Sequence, residues 1–379
     1  MADSDDFDEV TLRLNGEELR IWESYEIRQS ILTQPSTFTM RLGWGDVVRD
    51  LFAKVRPNTK VQLLINGTLQ QTGTIDGFEA SGEVGATELT VHGRDALAPL
   101  HDAFVRADLS LRDITYFDLV DKALLETVPD ALLFGSNEAN RRATTGVGVK
   151  QSSDPDVTNT TGPTQKILQA KIGERYYEFI KRQLDRAGAF LWAAADGSFI
   201  LSTPNPNQQP VYRIVRQRGS DRDTVNVLGA RYRNTTEMRY TEAIIYGRGG
   251  GRISGAVKAK GSFLDEEMIA YGYKRPLVLR DTNVTNAEQG AFYARRKLAE
   301  TRRQGWNLTY TVQGHSVASL QDGRRATWSV DTIVDVQDDE FGIFGPHYIE
   351  AVSFRRGSNG TSTELVLMRP EDLIFGGEG

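Results

Sequence analysis

The sequence predicts a mainly β fold with an α+β insertion: two copies of a barrel-like or sandwich-like module, with a smaller α/β domain between them. Three observations predict it. Hairpin text with alternating apolar and polar residues fills 10–91 and returns over 327–367. Three short motifs of the first stretch recur in the second, in the same order and at similar spacing. Between the two stretches, apolar residues repeat at helical period. Each copy needs several strands to bury one face, so the repeat implies a pair of β-modules.

In order along the chain, "MADSDDFDEV" opens with an acidic stretch that reads as a solvated arm over 1–9. "VTLRLNGEELRIW" is a hairpin, because Asn15 and Gly16 tolerate the positive φ of a type I′ turn. "STFTMRLGW" alternates as a strand with one buried face does, and "GDVVRDLFAKVRP" has room for one helical turn before Pro57. Two more hairpins complete a module ending near Leu100. "DITYFDLVDKALLETV" sets Phe117, Val120 and Leu124 on one helical face, with Thr115 and Asp118 as a capping pair. The polar stretch 135–165, rich in Gly, Ser, Thr and Asn, is long for an unpatterned loop and is expected to be mobile or held by a neighbour. "GERYYEFIKRQLDRAG" aligns Tyr176, Ile180, Leu184 and Ala187, with Gly188 as the C′ residue, and a hairpin over Asp196-Gly197 follows. Thr285 and Glu288 form a capping box for a helix over 286–304.

The recurrent motifs align as follows. "NTKVQL" at 58–63 parallels "DTIVDV" at 331–336, and "TIDGF" at 74–78 parallels "YIEAV" at 348–352. "ATELTV" at 86–91 parallels "STELVL" at 362–367; Arg94 and Asp95 follow the first, Arg369 and Glu371 the second. True copies place Ile75 and Ile349 at equivalent inward positions, and likewise pair Thr87 with Thr363.

Composition excludes several classes of chemistry. With no cysteine, disulfides, thiolate metal sites and cysteine nucleophiles are ruled out. A net charge of -6 argues against a general nucleic-acid binder. No apolar run approaches the roughly 18–20 residues that span a bilayer, and the N-terminus lacks signal-peptide character, so the chain reads as soluble and made in a cytoplasm. "GRGGGRISG" at 247–255 lacks the Gly-Lys-Ser/Thr ending of a phosphate loop and leads into no helix, so it reads as a hairpin tip. Asp335, Asp338 and Asp339 miss calcium-loop spacing and read as a solvated turn. His92, His101, His315 and His347 are scattered, read as surface or strand histidines, and offer no zinc pair. Fifty-one Asp and Glu residues leave too many carboxylate pairs to single one out, and no Gly-x-Ser-x-Gly elbow occurs. Trp22, Trp44, Trp192, Trp306 and Trp328 read as core, an exposed one being a candidate assembly hot spot. No catalytic, cofactor-binding or metal residue is assigned.

"INGTLQQTGTIDGFEASG" leading to "TELTVHGRDALAPL" resembles the N-terminal part of contractile-tail baseplate hub proteins: the hubs of phage Mu and the T-even phages, and the N-terminal half of VgrG in type VI secretion. "YYEFIKRQLDRAGAFLWAAADGSFILSTP" is similar to the hub's helix and hairpin, and "AEQGAFYARRKLAETRRQGWNLTYTVQGH" with "TELVLMRPEDL" to its last part. The resemblance covers nearly the whole chain apart from the acidic arm (1–9) and the 135–165 loop, and with the repeat it divides the rest into a first tube-like β domain (10–108), an α/β domain (109–212), a second tube-like β domain (213–372) and a tail (373–379). It implies a structural protein without catalytic role: a homotrimer of six similar modules that joins a hexameric tail tube to a trimeric central spike. Implied partners are the spike protein, tube or tube-initiator proteins, the tape-measure protein and the baseplate wedge. DNA would pass through the lumen without specific binding, and there would be no membrane insertion. The implied location is the tail baseplate of a virion assembled in the host cytoplasm. Because the chain ends soon after the second module, the spike is expected to be a separate chain. The alternatives are a tail-associated cell-wall or polysaccharide hydrolase, or the hub of a type VI-like or extracellular contractile injection system.

Overall fold

The computed structural model describes residues 8–14, 16–20, 22–43, 55–83, 86–106, 110–111, 116–128, 131–135, 168–187, 189–202, 204–205, 207–217, 226–247, 260–281, 284, 286–358 and 360–372. The first part of the chain forms β1 (Val10–Leu14), β2 (Glu17–Leu19), β3 (Ser24–Ser30), β4 (Thr37–Gly43), β5 (Lys60–Ile65), β6 (Thr68–Glu83) and β7 (Ala86–Asp95). There follow α1 (Ala98–Asp102), β8 (Ser110–Leu111), α2 (Tyr116–Thr127), β9 (Leu133–Gly135), β10 (Leu168–Gln169), α3 (Tyr176–Ala187), β11 (Phe190–Ala193) and β12 (Phe199–Ser202). The last part holds β13 (Tyr212–Arg216), β14 (Val227–Asn234), β15 (Glu242–Tyr246), β16 (Lys260–Leu264), α4 (Glu266–Ala270), β17 (Pro276–Arg280) and α5 (Ala287–Gly305). It closes with β18 (Trp306–Gln313), β19 (Ser316–Ala318), β20 (Arg325–Thr327), β21 (Ile333–Asp338), β22 (Ile343–Gly357), β23 (Gly360–Met368) and a 3-10 turn at Pro370–Asp372. The fold is mainly β with helical insertions, as the alternation predicts.

Thirteen strands join in one sheet. Its first half runs β3-β4-β7-β6-β5-β1-β2, and its second half runs β14-β18-β23-β22 with β21 and then β13 beside β22. The halves therefore place corresponding strands in the same order, both in the sheet and along the chain. The repeat extends to single residues. Ile75 faces Gly93 and Gly77 faces His92, so Asp76 is an extra residue bulged out of β6. Ile349 faces Leu367 and Ala351 faces Val366, so Glu350 is the equivalent bulge in β22. Just ahead of β5, Asn58 has φ 71°, and just ahead of β21, Asp331 has φ 58°. Asn and Asp are the side chains that best tolerate this left-handed region. Asn58 N donates to Ile75 O at 2.7 Å and Asp331 N to Ile349 O at 3.1 Å; Ile75 N returns a bond to Thr59 O at 3.0 Å and Ile349 N to Thr332 O at 2.9 Å. Ile75 and Ile349, 1% and 0% exposed, thus occupy equivalent inward positions.

Two details depart from the sequence reading. With Gly93 superposed on Leu367, Thr87 falls on Thr361 and Thr363 on Leu89, two residues from the match of "ATELTV" with "STELVL". Side chains alternate with period two, so a slip of two preserves the face; text alternation fixes the face but not this register. The outer strands also differ, since β1 pairs antiparallel with β5 whereas β13 pairs parallel with β21.

One apolar core underlies both halves, running from Val10 and Ile27 through Ile75 to Phe354 and Leu367. A second core belongs to the insertion, where α2 and α3 pack with β11 and β12. Helix α2 buries Leu119, Val120, Ala123 and Leu124, while Phe117 is only half-buried, so its inward face lies a little further round than predicted. In α3, Tyr176, Ile180 and Leu184 are buried as expected. The hairpin β11–β12 closes over Asp196-Gly197, with Gly197 at φ 85°, and β9 adds to β12 in parallel. Helix α5 is capped by Asn286, whose side chain accepts from Gln289 N at 2.8 Å, one residue beyond the predicted Thr285. Thr285, Thr115, Gly188, Trp44, the helical turn before Pro57, the polar loop beyond Gly135, most of the glycine-rich tip and the tail 373–379 lie outside the described residues. So do residues 1–7 of the arm; Asp8 is described, and it is 3% exposed rather than solvated.

Helix α5 lies on a small sheet of order β16-β15-β17 at a glycine crossing. A Cβ on Gly261 would stand 2.1 Å from Ala291 N and 2.3 Å from the Gly290 carbonyl carbon, both backbone atoms that cannot rotate away. Gly261→Ala is expected to cost about 1–3 kcal/mol in urea unfolding, the usual penalty of overpacking. Gly357→Ala, where the added atom meets nothing within 4 Å, should shift stability by no more than about 0.5 kcal/mol.

Candidate assembly surfaces

Several of the residues weighed for catalysis or metal binding have structural partners. Asp338, read as part of a solvated turn, is fully buried. It accepts from the Tyr310 hydroxyl at 2.6 Å and from Glu340 N and Phe341 N at 2.9 and 3.0 Å, and pairs with Arg216 at 3.3 Å. Its carboxylate thereby organises the β21–β22 turn. Among the described residues, no group of three or more His, Asp or Glu side chains could hold a metal ion. The four described tryptophans, Trp22, Trp192, Trp306 and Trp328, are all buried, so each serves as core rather than as an exposed anchor.

Of the four histidines, read as surface or strand residues, His92 and His347 lie on strands, whereas His101 sits in α1 and His315 in the turn between β18 and β19. His92 is exposed on β7, but His347 is buried against Trp306 and His101 stacks on Tyr177. His315 is 0% exposed. Its Nε2 lies 2.8 Å from the Tyr25 hydroxyl and its Nδ1 3.0 Å from Thr363 Oγ1, while its backbone N donates to Asp8 Oδ2 at 2.6 Å. Burial pushes its pKa down to about 4, against the opposing pull of Asp8. An unfolded chain takes up that proton near pH 6.5. Between pH 6.5 and about 4 the unfolded state therefore binds more protons, and stability is lost as pH falls. Relative to His315→Gln, the wild type should lose about 1.4 kcal/mol per pH unit across that window, read from urea unfolding at successive pH values. A pH-independent difference would show that the ring is protonated in the fold.

The surfaces that remain are sheet edges. Strands β21 and β3 lie end to end along one edge of β22: β21 pairs with Ile343 to Tyr348, and β3 continues antiparallel against Ala351 to Arg356. At this seam Phe354 faces Ile27, both 0% exposed, and Arg355 bridges Glu26 at 2.9 Å and Glu364 at 2.9 Å. Corresponding positions elsewhere look different. Beyond Thr74, strand β6 keeps only β7 as a strand neighbour among the described residues, and Glu79 to Gly82 are exposed. Strand β14, the counterpart of β3, pairs among the described residues only with β18 and exposes Arg231, Tyr232, Arg233 and Asn234.

A largely buried ion cluster ties α4 and α5 to the end of the second half. Arg239, 0% exposed, reaches Asp265 at 3.1 Å and Glu267 at 2.9 Å. Arg302 meets Asp265 at 2.7 Å and Asp372 at 3.5 Å, and Arg369 meets Asp372 at 2.8 Å and Glu267 at 3.4 Å. Three arginines balance three carboxylates drawn from the β14–β15 connection, α4 and its cap, α5, the residue after β23 and the 3-10 turn. Sequence reading missed this cluster, because its members are far apart in the chain and no local spacing announces them.

Residues 9–95 match the family described as Mu phage baseplate assembly protein GpP-like, N-terminal. No curated protein matches the chain. Among solved structures, a tail protein from Neisseria meningitidis MC58 aligns with a TM-score of 0.75 at 22% identity, over 95% of this chain and 96% of that one. The 43 kDa tail protein of prophage MuSo2 from Shewanella oneidensis aligns with a TM-score of 0.73 at 18% identity, over 97% and 99%. An E. coli component of the type VI secretion system, described as structurally similar to T4 tail proteins gp27 and gp5, aligns with a TM-score of 0.55 at 14% identity, over 94% and 76%. The fold is that of these tail proteins.

Proposed function

We propose that this chain is the structural hub of a contractile phage-tail baseplate. It acts as a homotrimeric ring whose doubled module offers pseudo-sixfold symmetry to a hexameric tail tube and threefold symmetry to a trimeric central spike. The observation that carries the reading is the residue-level repeat within one sheet, with the bulges at Asp76 and Glu350 and the left-handed residues Asn58 and Asp331 in equivalent places. A single chain with two similar modules is what a threefold object needs to meet a sixfold one. The match of residues 9–95 to a baseplate assembly family and the shared tail-protein fold support it. The tube, the spike, the tape-measure protein and the baseplate wedge are the partners this role requires. In this role the lumen conducts DNA without binding it specifically; three chains at -6 carry -18, a field that disfavours adhesion of nucleic acid if it faces inward.

The test is the mass of the purified chain in solution and its place in the particle. The expected species has three times the 42.2 kDa chain mass, and a cryo-electron map of the virion should show six modules around one axis between tube and spike. A ring with only threefold character where it meets the tube would overturn the adaptor role.

A further inference from the structure

The seam between β22 and β3 is one junction between two successive modules, and the repeat specifies where the next junction must be. The shift of 274 positions that carries Ile75 onto Ile349 also carries Gly77–Gly82 onto Ala351–Arg356, the part of β22 that holds β3. The shift of 205 positions that carries Ile27 onto Tyr232 places β3 on β14, since both strands pair in the same register with β4 and β18. Each chain therefore uses one copy of each edge internally and presents the other copy outward. The exposure follows this division. Tyr25 and Ile27 are 4% and 0% exposed, whereas their counterparts Ala230 and Tyr232 are half-buried and 38% exposed. Ser353 and Phe354 are buried, whereas Glu79 and Ala80 are exposed.

Resting on the ring reading above, we infer that residues 77–82 of β6 pair antiparallel with β14 of a second copy of this chain, in the register of the internal seam. Superposition sets Glu79 opposite Arg233, with Arg231 diagonal to it, and Phe78 opposite Asn234 where the seam sets Val352 opposite Gln29. An acidic residue facing a basic one across the strands favours this register, and no like charges meet. Tyr232 is covered by the incoming strand. An open sheet edge is a template for another chain, and here the edge and its complement sit on the same molecule at different places. Contacts of that kind are head-to-tail and close into a ring when the rotation permits. The ring then alternates junctions made within a chain and junctions made between chains.

The chain lacks cysteine, so introduced thiols are the only ones present. Directly opposed strand residues have Cα atoms within the roughly 7 Å that a disulfide tolerates. Under mild oxidation, Glu79→Cys with Arg233→Cys is expected to give covalent dimers and closed trimers on a denaturing, non-reducing gel, abolished by reductant. Arg28→Cys with Ser353→Cys, the same pair at the internal seam, should cross-link within the monomer. Each single variant of the outward pair should stay monomeric on the gel. A trimeric mass without the Glu79–Arg233 cross-link, while the internal control forms, would overturn the strand pairing and leave the hub reading standing. A monomeric mass at all concentrations without cross-link would overturn both. Covalent dimers from Glu79→Cys alone would replace the head-to-tail contact with a twofold one.

Discussion

Ile349→Asp and Ile75→Asp should each abolish folding, not merely assembly. Both side chains are essentially inaccessible within the single core shared by the two halves of the sheet. Each replacement forfeits about 1.5–3 kcal/mol of apolar burial. Each also places a carboxylate among apolar side chains, at several further kcal/mol even after it takes up a proton. Together these approach the roughly 5–15 kcal/mol that holds a folded domain together. Loss of soluble protein, or of the cooperative urea transition, is the expected readout. Ser81→Asp, an exposed position on the same strand as Ile75, should stay within about 0.5 kcal/mol of wild type. Native-like unfolding of either isoleucine variant would mean that the residues before the bulges face solvent.

Asp265→Ala should be nearly as damaging, with an expected loss of about 3–5 kcal/mol. Asp265 caps α4 through Glu267 N and Met268 N, receives two hydrogen bonds from Arg302 at 3.0 and 2.7 Å, and is one of the two carboxylates on buried Arg239. Removing it leaves an arginine buried with one counter-charge instead of two. Burial alone would raise the Asp265 pKa, but the hydrogen bonds and charges of Arg302 and Arg239 outweigh it and hold the carboxyl below its ordinary range. Its contribution is thus fully present above the unfolded value near 3.9 and is lost as pH falls through the folded value. Asp265→Asn, which keeps the shape, should lower stability at pH 7 and flatten the acid limb below pH 4. Identical acid limbs for wild type and Asp265→Asn would show that the arginines do not depress this carboxyl.

The strands were legible because alternation is a local signal, and so was the repeat, because the bulged segments carry similar text in "TIDGF" and "YIEAV". The register of β7 against β23 was not, since residues two apart share a face and the text match chose the wrong neighbour. Asp338 and His315 were misread for one reason: a polar residue in polar text looks solvated until a distant partner such as Tyr310 or Asp8 covers it. The edges of β14 and β6 leave no mark in the sequence. An edge strand differs from a central one only by what is missing beside it, and that depends on pairings hundreds of residues away.

The seam also bears on how the chain is made. Glu26 waits for Arg355, 329 residues later, before the edge of β3 is covered. At about 5–20 residues per second, a ribosome leaves that edge open for roughly 15–65 s. During this interval the first seven strands are complete except for one sticky side, and crowded polysomes bring many such sides together. Chains arrested before β22 are expected to clump through β3, and a helper that shields this edge during synthesis would raise the yield of finished rings.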